Sequence, residues 1–110
     1  MSEKQWIRVT VPDNIPPREG RAVTLGSEEI AIFNLGDRFL AVRGTCPHQG
    51  GPLADGIVAG DTVVCPLHGW KINLENGCVE RPGQIKACVP TYETRLEDGV
   101  VLVALPVSAQ

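Results

Sequence analysis

Val, Ile, Leu and Thr gather in short runs along this chain, and Gly, Pro, Asn and Asp cut the runs apart. Apolar positions do not recur at helical spacing over any window of about ten residues, whereas several runs alternate with a period of two or are continuously apolar. The pattern predicts strands over residues 5–11, 21–25, 29–34, 38–43, 57–59, 62–65, 71–74, 89–96 and 100–105. Turn chemistry falls between them at Gly26-Ser27, Gly36-Asp37, Gly60-Asp61, Asn76-Gly77 and Asp98-Gly99, the last a strong hairpin signal. Pro12 ends the first run, and Pro16 with Pro17 excludes a central strand from 13–17. Short, evenly spaced strands of this kind predict an all-β chain, an antiparallel β-sandwich or small barrel.

The chain has 110 residues, 43% of them hydrophobic, which suits a single domain spanning 1–110 with a modest core. Its formal net charge is −3, and no basic run exists to neutralise phosphates, so nucleic acid is an unsuitable partner. The first residues, Met1 to Trp6, lack the apolar segment of a signal peptide. The most apolar stretch, 100–107, is broken by Pro106 and too short to cross a bilayer. These features predict a soluble, cytoplasmic protein with no membrane partner.

Chemistry concentrates in two places. Cys46-Pro47-His48 and Cys65-Pro66-Leu67-His68 each pair a thiolate with an imidazole, sixteen residues apart, and use both histidines and two of the four cysteines. Two thiolates and two imidazoles fit an iron–sulfur cluster. Structural zinc also accepts this donor set, although zinc fingers usually keep like ligands together, whereas each pair here is mixed. The loop 46–52 follows one predicted strand, and the loop 66–69 lies between two others, so both can close on a metal from strand-supported stems. Glycines permit close backbone approach, and prolines limit each loop's freedom. Cys78 and Cys88 lie outside the two pairs. They are expected as free thiols packed in strands, with a disulfide or an extra ligand role as the alternatives. Trp70 is expected as a core aromatic anchoring the second loop, and Trp6 as packing or interface. With no Ser/His/Asp set and no glycine-rich phosphate fingerprint, no catalytic residue is expected.

Cys-x-His followed by Cys-x-x-His, with Gly69-Trp70 after it, resembles the Rieske [2Fe–2S] family. The resemblance implies a Rieske-type fold with a cluster-binding subdomain at approximately 44–83, in which Cys46 and Cys65 ligate one iron and His48 and His68 the other. It also implies that Glu80-Arg81-Pro82-Gly83 forms a third loop shielding the cluster. The two histidines are then expected at an exposed tip ringed by Gln49, Gly50, Leu67, Gly69 and Pro82.

Departures from the family pattern narrow the expectation. High-potential members join their ligand loops by a disulfide, and Gly51 and Leu67 stand at the corresponding positions here. Trp70 stands where those proteins carry a serine hydroxyl, so a potential toward the lower end of the family's range of about −150 to +300 mV is implied. Ring-hydroxylating oxygenases need further histidines for a mononuclear iron, and none is left. The chain by itself is therefore expected to be an electron carrier. Within the family its resemblance is closest to the small subunit of assimilatory NAD(P)H-dependent nitrite reductase, carried by 46–53, 55–58, 60–61, 65–70, 73–77, 88–93 and 95–99. That implies a large partner subunit bearing sirohaem and flavin, where nitrite is reduced to ammonium. The alternative is a free ferredoxin serving a ferredoxin reductase and a ring-hydroxylating oxygenase.

Overall fold

The computed structural model describes residues 4–26, 28–45, 52–66, 69–80 and 87–106. Over these residues β1 is Lys4–Thr10, β2 Gly20–Leu25, β3 Glu28–Asn34, β4 Phe39–Arg43 and β5 Ile57–Ala59. They are followed by β6 Thr62–Val64, β7 Lys71–Asn73, β8 Thr91–Tyr92, β9 Thr94–Glu97 and β10 Val100–Pro106. The strands make three sheets in the orders β1-β10-β9, β2-β3-β4-β8 and β5-β6-β7. All pairings are antiparallel. The chain is all-β, as its patterning implies, and the only helical geometry among the described residues is a single 3₁₀ turn at Pro12–Asn14 and another at Leu53–Asp55.

The continuous apolar run Ile30-Ala31-Ile32-Phe33 explains how the sheets stack. A run of this kind marks a strand covered on both faces, and all four residues are fully buried. Ile30 and Ile32, with Ala41, face one core that also contains Ile15 and Val103. Ala31 and Phe33, with Val42, face a second core containing Leu53, Val63, Cys65, Ile72, Leu74 and Val89. The four-stranded sheet therefore lies between the β1-β10-β9 sheet and the β5-β6-β7 sheet. The first pair of layers is a sandwich, and the third layer is the lobe that leads into the candidate ligand Cys65.

One predicted strand divides. Residues 89–96 form β8 on the four-stranded sheet and β9 on the other, with Glu93 between them. Its carbonyl accepts from Ala104 N at 2.9 Å, while Thr94 Oγ1 donates to the Phe39 carbonyl at 2.5 Å. The same segment thus edges both sheets, which a period-two reading cannot reveal. Asn34, the buried polar residue of the core, is satisfied: its amide donates to Ile15 O at 2.7 Å and its carbonyl accepts from Gly36 N at 2.8 Å. Lobe and sandwich are also tied at their rims. Arg18 Nη1 donates to Gly60 O at 3.1 Å, and Arg38 pairs with Glu75.

Candidate metal centre and its supporting hairpin

The stem of the first candidate loop is closed by backbone. Thr45 bridges Pro52, Leu53 N donates to Gly44 O at 2.9 Å, and Gly44 N donates to Glu29 O at 2.8 Å. The segment leaving this loop then turns at Leu53–Asp55 and presses on β6. A Cβ on Gly56 would meet Val64 O at 2.3 Å and Val63 Cγ2 at 2.8 Å. Only glycine allows that approach, and it sets the exit of the first loop against the entry of the second.

The second loop starts where β6 ends. Cys65 N donates to Trp70 O at 2.7 Å, and Gly69 N donates back to Cys65 O at 3.0 Å. Gly69 sits at φ +74, a left-handed conformation that glycine adopts without cost. Cys65 is 1% exposed and packs in the second core. Trp70, half-buried, lies against that core, in keeping with its expected anchoring role. Of the four candidate ligands, Cys65 is described, while Cys46, His48 and His68 lie outside the described residues. The same holds for Gln49, Gly50, Gly51, Leu67, Arg81, Pro82 and Gly83. Gly69, also expected at the tip, is exposed.

The donor chemistry fits a cluster. A thiolate buried in an apolar core is costly unless a cation offsets its charge, and iron is such a cation. Stems closed by backbone hydrogen bonds hold a ligand with little entropy left to lose on binding.

A third stem stands beside the second. Val79 bridges Ile72 of β7, and Glu80 N donates to Lys71 O at 2.8 Å. Asn73 Nδ2 donates to Glu80 Oε2 at 2.8 Å, and Thr62 Oγ1 to Glu80 Oε1 at 3.4 Å. The chain returns alongside at Ala87–Val89. A disulfide joins Cys78 to Cys88, with Cα atoms 3.9 Å apart. This corrects the expectation of two free thiols: the two cysteines are directly opposed on an antiparallel rung, close enough for a bond. The sequence carries only a weak signal of this, since a pairing across ten residues is not specified by spacing alone.

Away from the lobe, Tyr92 Oη donates to Glu28 Oε1 at 3.2 Å, and Arg43 Nη2 lies 3.5 Å from the same oxygen. Burial pushes the phenol above its ordinary value, and the adjacent Glu28 carboxylate pushes the same way, against a smaller opposing effect of Arg43.

The model of the Rieske [2Fe–2S] domain matches residues 5–93. The chain belongs to the Rieske [2Fe–2S] domain family. Its cofactor is accordingly the Rieske-type [2Fe–2S] cluster. Ferredoxin CarAc of Metapseudomonas resinovorans is 31% identical over 102 residues, covering 90% of this chain and 92% of its own. A solved chain assigned as the small subunit of an NADH-dependent nitrite reductase from Mycobacterium tuberculosis superposes with a TM-score of 0.85. The two are 26% identical, and the match covers 97% of this chain and 99% of the other. The E. coli protein NirD superposes with a TM-score of 0.80 at 29% identity, covering 93% and 97%. The Rieske chain is thus an electron-transfer protein, and both nitrite reductase small subunits and oxygenase ferredoxins are among its relatives. No helix among the described residues is long and apolar enough to cross a membrane.

Proposed function

We propose that this chain is the small, electron-transferring subunit of a cytoplasmic NAD(P)H-dependent nitrite reductase. The observation that carries the reading is the match to the Mycobacterium tuberculosis chain, which takes in 97% of one protein and 99% of the other at a TM-score of 0.85. The chain acts as one domain, 1–110, with 44–83 as the cluster-binding part. Cys46 and Cys65 hold one iron, and His48 and His68 hold the other. Bound there, the cluster supplies one-electron redox chemistry. The chain's own residues close three stems around the site, bury Cys65 away from water, and leave Gly69 exposed beside His68, where a partner can approach. Its partner is a large subunit carrying sirohaem and flavin, on which nitrite is reduced to ammonium. The test is reconstitution: adding the loaded chain to that large subunit should raise NAD(P)H-dependent ammonium formation, and the variant His68→Ala should not.

The full-length likeness to ferredoxin CarAc favours a second reading, a free ferredoxin between a reductase and an oxygenase. Rapid reduction by a ferredoxin reductase and re-oxidation by an oxygenase, with no effect on the nitrite-reducing subunit, would select it.

A further inference from the structure

We propose that the Cys78–Cys88 disulfide is a thiol–disulfide exchange site for a dithiol reductant, entered from the Cys88 side, and that its reduction releases Ala87-Cys88 from the paired segment at 77–80. The inference rests on the hairpin alone and holds whichever redox partner the chain serves.

The bond is open to attack. Cys88 is exposed and Cys78 is half-buried, whereas disulfides sealed in a core are closed to the in-line approach that exchange needs. The rung is also built to re-form the bond. Val79 N donates to Ala87 O at 2.9 Å on one side, and Val89 N donates to Gly77 O at 2.8 Å on the other. The two cysteines therefore occupy a non-hydrogen-bonded pair, in which facing side chains are nearest.

The two arms differ in what else secures them. The outgoing arm is fixed to β7 by the Ile72–Val79 bridge, by Glu80 N on Lys71 O, and by Asn73 N on Cys78 O at 2.9 Å. Asn76 Oδ1 also accepts from Cys78 N at 2.8 Å, and the Glu80 carboxylate is held by Asn73 and Thr62. The return arm is joined to the outgoing arm by the Val79 N–Ala87 O and Val89 N–Gly77 O hydrogen bonds and the disulfide. Val89 is buried in the second core, so the segment to which the disulfide alone adds security is Ala87-Cys88. Breaking the bond thus loosens the arm that carries Cys88 and leaves the arm along β7 in place.

The exchange balances between the disulfide and the dithiol alone. A thiolate of the dithiol attacks Cys88 Sγ, the S–S bond breaks, and Cys78 leaves as a thiolate that takes up a proton. The second thiol then attacks its partner's sulfur in the mixed disulfide and releases the Cys88 thiol. Two electrons and two protons pass to the hairpin, and the reductant becomes a disulfide.

The test uses the loaded, anaerobic protein equilibrated over a series of dithiothreitol ratios. Alkylation and peptide mapping read the thiols, and hydrogen exchange reads the amides. Peptides containing Cys78 and Cys88 should gain label together in one two-electron step. In the reduced protein Val79 and Val89 amides should exchange at least tenfold faster, while those of Val63 and Ile72 keep their protection. The double variant Cys78→Ser/Cys88→Ser should show the reduced pattern with no dithiol present. Complete alkylation of both cysteines before any reductant is added would overturn the site. So would a bond that resists native reduction yet yields on unfolding, and unchanged exchange at Val89 after reduction would overturn the release.

Discussion

Gly56 shows how the absence of a single atom can position a candidate ligand. It does not coordinate anything, yet the carbonyl of Val64 lies where its Cβ would be, and the next residue is Cys65. Gly56→Ala must push β6 or the first loop aside, an overpacking effect that typically costs about 1–3 kcal/mol. The expected outcome is a lower Tm together with reduced iron content per chain, read by calorimetry and by iron and sulfide assay. Wild-type iron content in that variant would mean that the two loops are not coupled through this contact. Cys65→Ser is expected to abolish the cluster absorption, whereas Cys78→Ser keeps it, because the disulfide pair belongs to the supporting hairpin. Tyr92 gives a second residue-scale test, since it is the only tyrosine in the chain. Its raised folded pKa means the neutral phenol is favoured in the fold. The associated stability is fully present below the ordinary value of about 10 and falls as pH rises through the folded pKa. Phenolate absorbance should therefore titrate above the free amino acid, and Glu28→Gln should bring the midpoint down.

At the level of elements, the paired segments 77–80 and 87–89 are fastened covalently. A bridge closing a ten-residue separation removes unfolded-state entropy worth about 2–3 kcal/mol in the chain-entropy account. Reduction is accordingly expected to lower the denaturant midpoint with little change in the Rieske absorption, a comparison that chemical unfolding followed by circular dichroism can make. Most strands were legible from patterning alone. Residues 57–59 coincide with β5, and 21–25, 29–34 and 100–105 each fall within one residue of a strand boundary, because β-branched runs between Gly turns leave few alternatives. The division of 89–96 was not legible. Which sheet a strand joins depends on long-range partners, here Ala41 and Val42 for β8 and Val103 for the start of β9. The pairing of Cys78 with Cys88 was hidden for the same reason. Residue type and spacing name four candidate ligands, of which the structure describes Cys65 alone. The Gly56 contact beside it was not legible, since nothing local marks a close approach across the lobe.

On the scale of the whole molecule, an anaerobically purified chain is expected to hold about two irons and two sulfides, as its family implies. Stoichiometric zinc without labile sulfide would contradict this. The stacking of three sheets has a further consequence. β3 lends alternate side chains to both cores, with Ile32 on one side and Phe33 on the other. Truncating Phe33 to Ala removes a fully buried ring and should cost about 3–5 kcal/mol. That loss should be felt in the sandwich as well as in the lobe. A lobe whose core is completed by side chains of a strand from the neighbouring sheet is not expected to melt as a separate cooperative unit. Loss of the cluster should then register as one shifted unfolding transition for the entire chain, with the amides of β3 the last to exchange from either side.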